Sequence, residues 1–240
     1  FMTTDRVNHF LFEHYEQDGE YHEEFLEFYR TYCADDIATL AQRYPKSQQS
    51  LYIEASDLSQ YDPALYEDWI EHPEQLQAVA EDALTRYDLP ADVSLEGAHV
   101  RLTDTQNRLM SWSVTDISSD YIGRYVAVSG QLARITGKSP RLKTAMFECQ
   151  RCGTPHEIPQ PRNDTQEPHE CQGCERQGPF VLATGESEWT DQRKIKLEEP
   201  IEERSQARGQ SVAVYVEDDL CDYGPGMTTL PSPAMVRPSA

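Results

Sequence analysis

Two Cys-x-x-Cys pairs constrain this chain more than any other feature. Cys149 and Cys152 form the first, Cys171 and Cys174 the second, with 18 residues between them. Each pair turns two sulfurs toward one point, so the two together supply four thiolates in the closed tetrahedral shell that zinc takes at about 2.3 Å per sulfur. The intervening segment, GTPHEIPQPRNDTQEPHE, is polar and proline-rich. It has too little apolar surface for a core of its own, so metal binding must stabilise it. Gly153 and Gly173 stand where the backbone has to curl toward the sulfurs. A redox pair would be single and placed between a strand and a helix. A catalytic zinc would need an open position, which four thiolates do not leave; His156 and His169 are near in sequence but surplus to the shell. The cofactor expected is therefore one structural Zn2+. Cys33 and Cys221 are unpaired and read as inert.

Upstream of the cysteines the texture is helical. From residue 5 to residue 44 apolar and aromatic side chains recur at spacings of three, four and seven, among them Phe25, Phe28, Tyr29, Ile37 and Leu40. Gly19 is expected to separate two helices and Pro45 to end the run. SLYIEASDLSQYD, with Leu51, Ile53 and Leu58, reads as a short buried strand or extended turn, and a further helical stretch is interrupted at Pro73. After Gly97 short β-branched or alternating segments take over, at 98–104, 124–135, 142–150, 179–191, 193–199 and 210–218. Strands of that length and spacing predict a small closed barrel of the oligonucleotide-binding (OB) type. The chain is thus read as α+β in several parts. A helical bundle covers 1–96, the barrel covers 97–148 and 177–222, the cysteine segment covers 149–176, and the proline-rich tail, 223–240, is expected to be disordered.

One motif misleads. Gly137-Lys138-Ser139 looks like the end of a phosphate-binding loop. The glycine that such a loop needs five residues earlier is Leu132, Pro140 follows the serine, and the next segment reads as a strand. Lys138 is then a loop charge. No other motif points to an enzyme, and Glu217, Asp218 and Asp219 read as solvated charge at a strand end.

The chain carries 42 acidic and 21 basic residues, a net charge of −21, and only five of the bases are lysines. Such a surface suits molar salt, where carboxylates hold water and cations. Residues 1–96 hold 22 acids against 5 bases, whereas the 24 residues from Arg124 to Phe147 hold five bases and no acid. Arg193, Lys194 and Lys196 add a second basic cluster. The two runs read as a face for a polyanion. No apolar run is long enough to cross a membrane and the N-terminus lacks a signal-peptide pattern, so the expected location is the cytoplasm.

YIGRYVAVSGQLARITGKSPRLKTAMFECQRCG, the second Cys-x-x-Cys, GESEWTDQRKIKLEEPIEE and SVAVYVEDDLCDYGPG together resemble the N-terminal part of the archaeal minichromosome maintenance (MCM) replicative helicases. SLYIEASDLSQYDPALYEDWIEHPE is similar to the helical subdomain of that region. The resemblance runs over roughly residues 5–226, and the acidic, lysine-poor composition suggests a haloarchaeal member. It implies a helical subdomain, an OB fold with a zinc ribbon inserted, ring assembly as a hexamer, other replication proteins as partners, and DNA held in a central channel. Cys149, Cys152, Cys171 and Cys174 occupy the ligand positions. The DNA-binding strands map onto SPRLKTA and DQRKIKLEE, which nominates Arg141, Lys143, Arg193, Lys194 and Lys196, with Arg134 beside them. The ATPase motor lies downstream in that family, so this chain is expected not to be an enzyme by itself. The tail GPGMTTLPSPAMVRPSA departs from the family's last barrel strand and basic hairpin. That departure keeps an alternative open: a truncated module that joins or caps a helicase ring without gripping DNA.

Overall fold

A computed structural model describes residues 19, 21–90, 93–103, 111–160, 165–201, 209–222 and 234–235. Two compact units divide the chain: residues 1–130 with 199–210 and 229–238, and residues 131–198 with 211–228 and 239–240.

The first unit is built on helices α1 (residues 21–32), α2 (Ala34–Arg43), α3 (Ala55–Tyr61), α4 (Pro63–Glu71) and α5 (Pro73–Thr85). The predicted periodicity is buried as written: Phe25, Phe28, Tyr29, Ile37 and Leu40 are inaccessible to solvent. Residues 5–18 lie outside the described residues, and Gly19, the expected separator, is itself helical. Pro63 and Pro73 each open a helix, where a missing N–H costs nothing. The Asp62 carboxylate accepts from the Ala64 and Leu65 amides at 2.7 and 3.4 Å, capping α4. Leu58, expected in an extended segment, belongs to α3.

This unit also contains a sheet. Strand β1 (Ser50–Glu54) pairs in parallel with β2 (His99–Thr103), Leu51 opposite Val100 and Ile53 opposite Leu102. These four side chains are buried in the same apolar cluster as the helices. The strand predicted at 98–104 therefore forms but joins the helical module, because α3 to α5 supply the long crossover that a parallel pair requires. Strands β3 (Ser111–Ser113) and β4 (Tyr125–Ser129) pair in parallel, and β11 (Ala234–Met235) pairs antiparallel with β4. The rest of the tail, 223–233 and 236–240, lies outside the described residues.

The second unit is a six-stranded sheet of β5 (Gln131–Ile135), β6 (Ser139–Cys149), β7 (Pro155–Pro159), β8 (Phe180–Leu182), β9 (Glu188–Glu198) and β10 (Ser211–Glu217). The main path runs β10-β9-β6-β7, with β5 also on β9 and β8 also on β6. The predicted strand at 124–135 splits at Gly130 into β4 and β5, and the predicted 179–191 splits into β8 and the start of β9. Between the latter two, the Ser187 hydroxyl donates to the Ala183 carbonyl at 2.8 Å and turns the chain. Strand β7 falls in the segment judged unable to fold alone, and it forms because β6 offers it an edge, Phe147 opposite His156. Its prolines stand at its two ends, where the ladder loses least. Among the described residues no helix is long and apolar enough to cross a membrane.

Candidate metal centre and nucleic-acid interface

β6 ends at Cys149 and the chain then turns back through Cys152, while the second pair stands in the turn that precedes β8. The four Sγ atoms all lie within 4.8 Å of one another, with Cys152 to Cys171 at 3.4 Å and Cys149 to Cys174 at 3.9 Å. Four sulfurs around one zinc at about 2.3 Å would stand roughly 3.8 Å apart, so the donor set fits a thiophilic tetrahedral cation. The two turns share one hydrogen-bond plan. The Gly153 amide donates to the Cys149 carbonyl and the Glu175 amide to the Cys171 carbonyl, each at 2.8 Å. Both residues have positive φ, +75° at Gly153 and +52° at Glu175. Gly173 donates its amide to Cys171 Sγ at 3.3 Å, and a Cβ there would meet Thr154 Oγ1 at 2.2 Å.

The thiols themselves report the crowding. Hydrogen bonds from Thr154, side chain and backbone, and then from Cys171 pull Cys152 down to about 6. Burial first, and then the other three sulfurs, push Cys174 up to about 12. Sulfurs this close ionise together only when a cation stands among them. His156, not expected in the site, is buried with its Nε2 3.3 Å from Cys171 Sγ. Its distance in sequence from the second pair hides that contact. Cys33 is buried and pushed up to about 12, chiefly by burial, and Cys221 to about 11 for the same reason.

The nominated basic residues do not form one surface. Neighbours along a strand point to opposite faces. Lys194 and Lys196 are exposed on one face of β9, while Arg193 lies on the other with Ile195, opposite Val216. A bulge between Leu132 and Arg134 turns Arg134 to stand opposite Lys196. Tyr215 is opposite Lys194, whose Nζ lies 5.2 Å from the ring centre. Arg134, Lys194, Lys196 and Tyr215 therefore share a face.

Most of the acid-free run is answered through space. Arg124 pairs with Glu71 at 2.9 Å, Lys143 with Glu188 at 3.0 Å, and Lys138 with Asp222 and, at 4.0 Å, Asp191. Arg141 is held on both arms, to Glu217 at 3.1 Å and to the Gln160 carbonyl at 3.1 Å, with 13% of its side chain exposed. Among the described residues Arg134 is the member of the run without an ion pair. Lys196 pairs with Glu198 at 2.8 Å. Gly137-Lys138-Ser139 leads into strand β6, so the helix that a phosphate loop requires does not follow it.

A family model described as the MCM OB domain matches residues 113–229. DNA replication licensing factor MCM4 of Oryza sativa subsp. japonica is 30% identical over 181 residues, covering 73% of this chain and 21% of the rice protein. MCM4 of Drosophila melanogaster is 24% identical over 196 residues, covering 78% and 21%. The chain thus spans about a fifth of the length of these curated relatives. A crystal structure of the N-terminal domain of an archaeal MCM superposes with a TM-score of 0.66 at 25% identity, covering 89% of this chain and 85% of that one. The paired cysteines and the six-stranded sheet therefore lie in a chain whose residues 113–229 match the MCM OB domain, and whose fold is similar to that of an archaeal MCM N-terminal domain.

Proposed function

We propose that this chain is the DNA-gripping, ring-assembling N-terminal region of a replicative MCM helicase, from a haloarchaeon and acting at the nucleoid. Its likeness to an archaeal MCM N-terminal domain over 89% of its length is the observation that carries the reading. The grip is assigned to the shared face of Arg134, Lys194, Lys196 and Tyr215, where cations meet phosphates and the tyrosine ring offers a base a stacking surface. Of the other nominees, Arg141 is largely buried between Glu217 and the Gln160 carbonyl, Lys143 is exposed and paired with Glu188 much as Lys196 is with Glu198, and Arg193 faces the other side of β9. Zn2+ on Cys149, Cys152, Cys171 and Cys174 has a structural role, since four thiolates close the shell to substrate. In molar salt counterion release contributes little, so affinity depends on arginine hydrogen bonds, stacking and the repeated sites of a hexameric ring.

The test is fluorescence anisotropy of a labelled single strand in molar KCl, with the chain and its Arg134→Ala/Lys194→Ala/Lys196→Ala variant. Binding by the parent with at least tenfold loss in the variant supports the grip. Rings without DNA affinity would favour a second reading, a module that joins or caps a helicase ring. The observation in its favour is that Arg124, Lys138, Arg141 and Lys143 are each answered by a carboxylate of this same chain.

A further inference from the structure

A tetrathiolate zinc centre carries two net negative charges, and acids and bases both stand near these cysteines, Arg151 and Arg176 among the bases. Glu148, Glu157, Glu170 and Glu175 all fall within a few residues of a cysteine. Cys149 and Cys171 are buried, so negative charge on their sulfurs needs donors aimed at them. The sulfurs are served unequally. Cys171 Sγ is approached by the Gly173 amide at 3.3 Å and by His156 Nε2 at 3.3 Å, and Cys152 Sγ has the Thr154 hydroxyl at 3.2 Å. Cys171 is 1% exposed and His156 5%, so water takes little part in solvating either. The imidazole is fixed from two directions. Its backbone is opposite Phe147 in the β6–β7 ladder, and its ring stands edge-on to Phe180 with centroids 5.5 Å apart.

We infer that His156 is a positioning residue of the metal centre: its Nε2–H donates to the Cys171 thiolate, withdraws charge from that sulfur and slows loss of the metal, without entering the coordination shell. The inference rests on the four-cysteine metal reading above. Outer donors of this kind are worth about 10- to 100-fold in metal affinity.

The experiment loads the full chain with Co2+ and compares it with His156→Phe, which keeps a ring against Phe180, and His156→Gln, which keeps a donor. Expected are one Co2+ per chain in all three and a sulfur-to-cobalt charge-transfer band at longer wavelength in His156→Phe. Zn2+ should be lost to a competing chelator about 10- to 100-fold more readily from that variant, with return toward the parent in His156→Gln. The unaltered chain loaded with 113Cd supplies a measurement that no folding defect can disturb: the Nε2–H of His156 should show a through-hydrogen-bond coupling to cadmium. An unshifted band with unchanged affinity in His156→Phe, absence of that coupling, or a nitrogen in the first shell of the parent by X-ray absorption would each overturn the inference. A parent that takes up no Co2+, Zn2+ or Cd2+ would instead sink the four-cysteine reading on which it rests.

Discussion

Glu175 carries a conflict between side chain and backbone. Its φ of +52° is the left-handed region that the first cysteine turn meets with Gly153, yet here a residue with a Cβ occupies it. Changing Glu175→Gly is expected to raise stability by about 1 kcal/mol, read as a higher Tm of the metal-loaded chain. Gly173→Ala should do the opposite, because its Cβ would stand 2.2 Å from Thr154 Oγ1 and force apart the turn that aims Cys171. Reduced zinc content per chain would register it. Arg141 makes a second residue-level case. The guanidinium ties β6 to β10 through Glu217 and to the end of β7 through Gln160. Arg141→Ala should therefore cost about 2 kcal/mol in a denaturant titration while leaving single-strand affinity within a factor of two or so of the parent. A large loss of affinity at unchanged stability would place Arg141 back among the DNA contacts.

Among the elements, the join between α5 and β2 turns on Glu81. Burial pushes its carboxyl up, but hydrogen bonds from His99 and Gln77, the His99 charge and the Val100 amide outweigh it and hold the group below its ordinary range. The Gln77 side chain donates to Glu81 Oε1 at 2.9 Å, the Val100 amide at 3.2 Å, and His99 Nδ1 lies 3.4 Å away. A depressed folded value means that the stabilisation is fully present above the unfolded pKa of about 4.3 and is lost as pH falls through the folded one. Acid titration of Glu81→Gln should show a chain less stable than the parent at pH 7, the difference closing only as the pH falls below the unfolded value and through the lowered folded one. The helices of this unit were legible in the sequence because their apolar spacing repeats along each segment. Strand β2 was legible as a strand but not as a partner of β1, since pairing depends on a residue 49 positions away. Strand β7 was not legible, because an edge strand with few apolar side chains is created by the neighbour it lies on.

At the scale of the whole molecule, apolar burial is uneven. The large core cluster, Phe25 to Tyr125, lies wholly within the first unit. The second unit buries few large side chains, chiefly Phe147, Ile195 and Val216, beside Cys149 and Cys171. Removing the metal with a strong chelator should therefore unfold or loosen the second unit and leave the first folded. In thermal melts the helical far-UV signal should hold to the same temperature while the protection of β6 to β9 amides from hydrogen exchange is lost. Loss of both signals together would mean that the metal supports the entire chain. The six-stranded sheet divides the basic residues in the same uneven way, because the period-two alternation and two bulges, at Leu132/Arg134 and at Leu142/Thr144, decide which cations share a face.

The sequence by itself determined the local chemistry. Two Cys-x-x-Cys turns fix two pairs of sulfurs wherever they fold, the period of the apolar residues dictates helices, and proline after Gly137-Lys138-Ser139 forbids a phosphate loop. Only the tertiary structure decided what those groups meet. An acid-free run in the chain is not an acid-free surface, since Glu71, Asp222, Glu217 and Glu188 arrive from 53, 84, 76 and 45 residues away to answer Arg124, Lys138, Arg141 and Lys143. His156 likewise reaches Cys171 only because the β6–β7 register delivers it. Coulombic and hydrogen-bond energies depend on distance in space. Strand register and packing convert the order of residues along the chain into that distance.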